Sequence, residues 1–378
     1  MIFYLNIVLF FLTINYSGQK EAIDKKNSLS NTIDKPIAAL QKFNLNDGFR
    51  LEDALPKGYV KDGTVDYTNY IQNVLNRNNN IIFPAFPLLI NDSGLRIKSN
   101  SILKFPKGSE IRLLPSSKAH YAIFLIESSS QISLINPVLI GDGNKHLGKS
   151  GEWGMGIKIT NSSNISIYNA KISNCWGDGI YINGIKRNPS KNIKIMSSSC
   201  VSNRRNGISI ISVDSLLIQD TYTANNNGTP PMCGIDIEPN SYMDEVKNVK
   251  IVNARTESNL GKGISLSLEK LYGSVDKNIS IYLKNHKDFG SSKGLHIACN
   301  NKKSLIGEKV SGNITILNPS FRNNKTSSFD LRQLREPNLN LVIGNPFIIN
   351  TEGITLSKAS IDKLLKTNLG SNMNYNLN

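Results

Sequence analysis

Two carboxylates stand two residues apart in the stretch CGIDIEPN, residues 233 to 240, where most other side chains are apolar or favour turns. On an extended strand Asp236 and Glu238 point to the same side, because successive side chains alternate. Two carboxyl groups on one face can hydrolyse a glycosidic bond, one as acid and the other as base or nucleophile. They can also pair with Arg204, Arg205 or Lys262 in solvent, or offer oxygen ligands to Ca²⁺, although two acids make a weak metal site.

A second candidate pair comes from a recurring motif of glycine, an apolar residue, any residue and another apolar residue. It reads GIKI at 156, GIYI at 179, GISI at 207, GIDI at 234, GISL at 263 and GLHI at 294. Lys158 and Tyr181 hold the variable position in the first two copies, so adjacent strands would place their Cα atoms about 5 Å apart. The ammonium would then favour the phenolate of Tyr181. We therefore name four candidate catalytic residues: Tyr181, Lys158, Asp236 and Glu238.

Proton transfer by a Tyr and a Lys suits β-elimination across a glycosidic bond of a uronate. That reaction also needs a cation at the substrate carboxylate, and arginine binds a carboxylate through two parallel hydrogen bonds. Arg204 and Arg205 are the candidates for this contact. Trp176 and Asp178 border the same surface, and His296 holds the variable position of the sixth motif, where we expect it to bind substrate.

The elements that position these residues follow from the repeat. The motif returns after 23, 28, 27, 29 and 31 residues, and between copies lie alternating segments such as NISIYNAKI at 164 and NVKIVNART at 248, followed by Asn-rich corners. Short strands that repeat at this length must stack on their neighbours. The repeats lack the Leu spacing of a leucine-rich horseshoe and are too short for propeller blades. The sequence predicts an all-β, right-handed parallel β-helix.

Segments outside the repeat define the expected domains. Residues 1–19 resemble a secretory signal peptide, with an apolar run near Ile7 to Ile14, and 20–55 form a polar lead-in. The β-helix domain is expected over 56–355, with an N-terminal capping helix within 64–77 where apolar residues recur at helical spacing. Residues 356–378 form a short C-terminal helix and tail. We expect a secreted or periplasmic protein with no stable membrane insertion after signal removal.

Composition restricts the partners. The formal charge is +15 and the pI is about 9.5, a balance that favours an acidic partner. Nucleic acid is not expected, because an exported chain would not meet it and the Lys and Arg residues are spread over many loops, with no clustered stripe with stacking aromatics. The four cysteines fit no metal-binding spacing and are expected to be buried small residues; one disulfide is permitted.

The capping helix, the phrase IIFPAFPLLI and the GDGIYI type of coil resemble the pectate-lyase-like β-helix superfamily of carbohydrate-active proteins, over residues 60 to about 350. That resemblance implies a polyuronate lyase, an epimerase, a polygalacturonase-type hydrolase or a tailspike. The paired-Asp, Asp-His and Asp-Pro-His signatures of named subfamilies are absent, and RIK at 96–98 precedes every candidate acid.

The sequence therefore predicts an exported polysaccharide lyase that cleaves an acidic, uronate-containing polysaccharide. A glycoside hydrolase that uses Asp236 and Glu238 is the first alternative. A non-catalytic, tailspike-like β-helix that only binds glycan is the second. No cofactor is required by any of these, with Ca²⁺ as the one ion considered.

Overall fold

The computed structural model describes residues 44–299, 310–332 and 339–368. The predicted signal peptide and most of the polar lead-in lie outside these residues. None of the described helices is both long and apolar enough to span a bilayer.

The described chain winds through three parallel sheets. Sheet A contains β1 (Phe49–Arg50), β2 (Asn80–Ile82), β5 (Ile102–Lys104), β8 (Ser130–Ile135), β11 (Ser163–Tyr168), β14 (Ser190–Met196), β17 (Val213–Gln219), β20 (Val246–Val252), β23 (Lys277–Lys284), β26 (Val310–Leu317) and β29 (Leu339–Gly344). Sheet B contains β3 (Pro87–Ile90), β6 (Glu110–Leu113), β9 (Val138–Ile140), β12 (Lys171–Ser173), β15 (Ser199–Val201), β18 (Tyr222–Ala224), β21 (Arg255–Glu257), β24 (Lys287–Phe289), β27 (Ser320–Arg322) and β30 (Phe347–Ile349). Sheet C contains β4 (Leu95–Arg96), β7 (His120–Glu127), β10 (Trp153–Thr160), β13 (Ile180–Asn183), β16 (Ile208–Ile210), β19 (Ile235–Ile237), β22 (Lys262–Ser267), β25 (Lys293–Ala298) and β28 (Ser327–Arg332).

Each coil contributes one strand to each sheet, and equivalent residues stack from coil to coil. In sheet C, Ile157 pairs with Ile180, Ile180 with Ile208, and Ile208 with Ile235. All four side chains are fully buried, so the apolar positions of the motif form the core, as their alternation predicts. The predicted fold class, a right-handed parallel β-helix, is confirmed.

Left-handed residues mark the bends and bulges of each coil. Asn164, Asn192 and Asn248 have φ values of 55°, 54° and 53°, and each interrupts the alternation of a sheet A strand. Asparagine is one of the few residues other than glycine that adopts this conformation readily, which explains the Asn-rich repeat. Asn164 and Asn192 occupy the same position between the pairs Ser163–Lys191 and Ile165–Ile193, so this kink recurs from strand to strand and shifts which side chains face outward.

Helices lie near both ends of the chain's β-helix. α1 (Thr68–Arg77) buries Ile71, Val74 and Leu75, so the predicted N-terminal capping helix is confirmed. α2 (Lys358–Asn368) buries Ile361 and Leu365. Short 3-10 helices cover Leu51–Ala54 and Glu269–Leu271. Because β1 pairs with β2, strand pairing begins before the boundary expected at residue 56.

The cysteines behave as core residues. Cys175, Cys200, Cys233 and Cys299 are all buried, which confirms the expectation of small buried side chains. The permitted disulfide is not formed among them.

Candidate active-site groove

The motif positions form one continuous row on the outward side of sheet C. Lys158 pairs with Tyr181, Tyr181 with Ser209, and Ser209 with Asp236. The row continues through Ser265 and His296 to Asp330. The predicted register is therefore confirmed at every motif, and it places Lys158 and Tyr181 on adjacent strands.

A groove with a volume of about 380 Å³ crosses the first coils of this sheet. Its described lining consists of Arg96, His120, Tyr121, Leu125, Glu127, Trp153, Met155, Lys158, Tyr181 and Asn183. At one end, the rings of His120 and Trp153 stack with centroids 4.4 Å apart, and Trp153 remains 40% exposed. An exposed indole held rigid in this way offers a flat apolar face with a polar edge, which suits the ring of a sugar.

Lys158 forms an ion pair with Glu127, a residue that was not among the sequence-predicted site residues. Its Nζ lies 2.9 Å from Glu127 Oε1, and Arg96 Nη1 lies 2.6 Å from Glu127 Oε2. Burial favours the neutral form of Glu127, but hydrogen bonds from Lys158 and Arg96 outweigh it and lower the pKa. Glu127 is thus an ionised carboxylate between two cations, at the opposite end of the groove from Trp153.

Tyr181 remains protonated, which corrects the expectation that Lys158 favours its phenolate. Burial raises the pKa of Tyr181, the charges of Asp178 and Glu238 raise it further, and Arg205 only partly compensates. The phenol therefore lies in a field dominated by carboxylates, and it can donate a proton at neutral pH but not accept one. Its neighbour Lys158 is instead engaged with Glu127.

Behind Tyr181 lies a cluster centred on Arg205. Its Nη1 lies 3.1 Å from Asp178 Oδ2, its Nη2 lies 2.5 Å from Glu238 Oε1, and its Nε lies 3.9 Å from Glu152 Oε2. Only 11% of the Arg205 side chain is exposed. Because two carboxylates already bind this guanidinium, Arg205 is not free to bind a substrate carboxylate as the sequence suggested.

The acids of the cluster differ in exposure. Asp178 and Asp236 are 0% and 1% exposed, whereas Glu238 keeps 21% of its side chain exposed. Burial raises the pKa of Asp178 to about 6, Arg205 lowers it and Glu238 raises it. Burial also raises the pKa of Asp236 well above its usual range, and Glu238 adds to that shift. Asp236 is not the solvated strand residue that simple alternation implies, because Asn206 and Arg205 lie over it.

Arg204 and Trp176 form a separate stack. The guanidinium of Arg204 lies 3.7 Å from the centroid of Trp176, and its Nη1 donates to the Gly151 carbonyl at 2.8 Å. The other face of Trp176 stacks on His146 at 3.9 Å, and His146 Nδ1 contacts Asp142 Oδ2 at 2.9 Å. Neither Arg204 nor Trp176 is among the described residues that line the groove.

His296 lies at the other end of the row. Four strand spacings separate it from Tyr181, or about 19 Å. Its Nδ1 contacts Asp330 Oδ2 at 2.9 Å, and burial lowers its pKa to about 4 although Asp330 opposes this. It therefore cannot share a proton with Tyr181.

Four groove residues escaped the sequence reasoning: Arg96, His120, Glu127 and Trp153. Only Trp153, three residues before the first GIxI motif, had a signal, as an aromatic at a strand start. The strand HYAIFLIE that carries His120 and Glu127 lacks the motif glycine altogether. Within 44–299, 310–332 and 339–368, no group of three or more His, Cys, Asp or Glu side chains is arranged to hold a metal ion. Asp236 and Glu238, considered above for Ca²⁺, are thus not part of such a group.

No protein-family model matches this chain. A curated relative, the uncharacterized protein YclG of Bacillus subtilis (strain 168), is 29% identical over 246 residues, and the match covers 55% of this chain and 42% of YclG. The chain thus spans less than half the length of that relative.

Solved structures share the architecture at low sequence identity. The A-module of the mannuronan C-5 epimerase AlgE4 of Azotobacter vinelandii matches with a TM-score of 0.55 and 14% identity, over 81% of this chain and 89% of the module. PfbA, a surface adhesin of Streptococcus pneumoniae, matches with a TM-score of 0.57 and 15% identity, over 82% of this chain and 80% of the adhesin. These similarities concern the fold, and they confirm at that level the resemblance to pectate-lyase-like β-helix proteins.

Proposed function

We propose that this protein is an exported carbohydrate-active enzyme that binds an acidic polysaccharide in the sheet C groove and cleaves it by β-elimination. The observation that carries the proposal is the arrangement of Tyr181 beside the Arg96, Glu127 and Lys158 group, with the His120 and Trp153 stack at the far end. The groove thereby combines a sugar platform, two cations, an ionised carboxylate and a protonated phenol. The likeness to an epimerase of mannuronan favours a uronate as the substrate unit.

The reaction divides among these side chains as follows. Arg96 and Lys158, whose side chains remain 69% and 33% exposed beside Glu127, also neutralise the substrate carboxylate, which acidifies the adjacent C–H. Glu127 accepts that proton, the C–H electron pair forms the new C=C bond, and the glycosidic C–O bond on the next carbon breaks. The departing oxygen takes the phenolic proton of Tyr181. Solvent then returns a proton to Tyr181 and removes one from Glu127.

Hydrolysis by the acids of the Arg205 cluster is less well supported. A general acid must lie within hydrogen-bond reach of the glycosidic oxygen. Asp178 and Asp236 are shielded from solvent, and Arg205 binds both Asp178 and Glu238. In our proposal Asp178 and Glu238 instead help to keep Tyr181 protonated through their charge.

The test uses the purified protein with polymannuronate, polyguluronate and polygalacturonate. We expect the ultraviolet absorbance of an unsaturated uronate to appear on at least one of them. Tyr181→Phe should lower kcat/KM about 100-fold or more, the lower range for loss of a general acid, with little change in KM. Tyr70→Phe, which removes a hydroxyl from an exposed tyrosine of α1, is the matched control and should retain full activity.

Other products would overturn β-elimination in distinct ways. New reducing ends without the absorbance would indicate a hydrolase. Inverted C5 centres in an uncleaved chain, seen by NMR, would indicate an epimerase. Binding without any product would indicate a glycan-binding protein. The fold neighbour PfbA is a surface adhesin, which makes a binding role the alternative to catalysis.

A further inference from the structure

The positive charge of the strands is concentrated on sheet A. Its described strands carry eight Lys or Arg residues and one acid, Asp214. The strands of sheets B and C each carry five such cations and three acids. The expected spread of the basic residues over loops is therefore wrong for sheet A, where eight of them lie on strands.

Four of these cations have no ionic partner in the part of the chain that the structure describes: Lys191, Lys194, Lys250 and Lys284. The first three are exposed and Lys284 is half-buried. Lys194 and Lys250 occupy one row with Leu217 between them, which separates their Cα atoms by two strand spacings, or about 10 Å.

The remaining charged residues of β17, β20 and β23 have partners close by. Lys247 and Lys277 both contact Glu245, at 3.0 and 2.9 Å. The carboxylate of Asp214 accepts hydrogen bonds from Ser215 Oγ and Asn248 Nδ2 and makes no ion pair with a described residue. Unpaired ammonium groups therefore outnumber unpaired carboxylates on the face, which leaves a positive field for an anionic ligand.

Beside the lysines lies a second groove, with a volume of about 440 Å³. Four amide residues in the left-handed conformation form one wall, one from each of four successive coils: Asn100, Gln131, Asn164 and Asn192. Ser133, Ser166 and Lys194 also line it. Asn192 Nδ2 donates a hydrogen bond to Asn164 Oδ1. Apart from this contact, these side chains make no hydrogen bond with another described side chain across the groove. Amides and hydroxyls that remain open in this way match the hydroxyl groups of a sugar chain.

We propose that the outward face of sheet A is a second binding surface for an acidic polysaccharide, with sugar hydroxyls in the amide groove and carboxylates on Lys191, Lys194, Lys250 and Lys284. It goes beyond the cleavage proposed for sheet C and holds whether or not that groove is catalytic. The two grooves share coils, because β8, β11 and β14 follow β7, β10 and β13 directly along the chain. A long glycan is therefore retained on the protein by a face that carries no candidate catalytic residue.

The chemistry of the face favours a glycan over a nucleic acid. Single-stranded nucleic acid is usually held by rows of stacking aromatics, and the groove lining contains none. Nucleic acid binding is therefore an outcome of the test and not part of the proposal.

The test compares two quadruple variants with the same change in net charge. In the first, Lys191, Lys194, Lys250 and Lys284 become Gln; in the second, four exposed lysines off sheet A, namely Lys57, Lys107, Lys171 and Lys287, become Gln. Mobility is measured in native gels that contain polygalacturonate, alginate or a neutral glucan, at 50 and 200 mM salt. We expect about tenfold weaker retention of the first variant by at least one polyuronate, equal to about 1.4 kcal/mol, and near wild-type retention of the second.

Activity on a short oligouronate separates this proposal from the one above. If sheet C is catalytic, the first variant should cleave the oligouronate like wild type. If wild type does not cleave it either, the sheet C proposal fails, and the retention assay still tests the sheet A surface. Equal losses in both variants would overturn the proposal, since net charge would then suffice. Tighter retention by duplex DNA than by either polyuronate would overturn the assignment to a glycan.

Discussion

Sheets A and C are built by the same coils but use charge in opposite ways. On sheet C, Arg96 and Lys158 share Glu127, Arg205 binds Asp178 and Glu238, and Lys293 and Arg332 share Asp330. On sheet A, four lysines stand without ionic partners among the described residues. Paired, desolvated charges fix side chains and shift pKa values, whereas exposed unpaired charges attract a ligand over a Debye length and leave the fold nearly unaffected. In our two proposals, this difference places the chemistry on sheet C and the retention on sheet A.

The largest effect should follow from Arg205→Met. The variant leaves Asp178 and Glu238 without their guanidinium in a shielded site, and removal of one partner from a buried ion pair costs about 3–5 kcal/mol. We expect a loss of this size in the free energy of unfolding, measured by urea denaturation at pH 7. Arg332→Met is the control, because its side chain is 61% exposed and such pairs contribute about 1 kcal/mol or less.

The triple variant Arg205→Met, Asp178→Asn, Glu238→Gln should recover part of the loss, since the stranded charges are then gone. If Arg205→Met unfolds at the same urea concentration as wild type, the cluster is not a desolvated ion pair. The contrast between the two sheets would then rest on geometry only.

The row on sheet C was predictable because its signal is local. The glycine that opens each motif and the strict alternation after it set the register from Lys158 to His296. The residues that cover this row could not be predicted, because Arg205 and Asn206 belong to a corner whose path no periodicity defines. Asp236 thus appears solvated in the sequence and is 1% exposed in the structure.

The lysine face of sheet A was missed for a different reason. Lys191 and Lys194 are three residues apart, so strict alternation would turn one of them into the core. The left-handed Asn192 between them kinks the strand and lets both face outward. Asn248 does the same for Lys247 and Lys250. These asparagines were predicted to open the alternating segments, whereas Asn192 and Asn248 lie within their strands.

A smaller effect concerns the pH dependence of stability. The pKa of Asp178 rises from an ordinary 3.8 to about 6 on folding, so between these values the native state binds more protons than the unfolded state. Stability is therefore lost as the pH rises from 4 to 6, by up to about 3 kcal/mol, at 1.4 kcal/mol per pKa unit. Asp178→Asn removes this ionisation, so the difference between wild-type and variant unfolding free energies should fall over that range.

Urea denaturation at pH 4, 5, 6 and 7 gives this difference directly. A difference that stays flat, or that rises with pH, would mean that Arg205 keeps Asp178 ionised throughout. Asp178 would then resemble Asp330, whose pKa is lowered to about 2 because hydrogen bonds from Lys293 and Arg332 outweigh its burial.

The smallest effect separates two lysines of one strand. Lys250 has no ionic partner among the described residues, whereas Lys247 lies 3.0 Å from Glu245. Lys250→Gln should weaken retention by a polyuronate about two- to fivefold at 0.1 M salt, the scale of one exposed ionic contact. Lys247→Gln should weaken it less, because its ammonium must leave Glu245 before it can bind a ligand. Each variant removes one charge, and the two positions are three residues apart. Equal losses would show that the glycan senses the net charge of the face. A larger loss at Lys247 would show that the ion pair with Glu245 opens on binding.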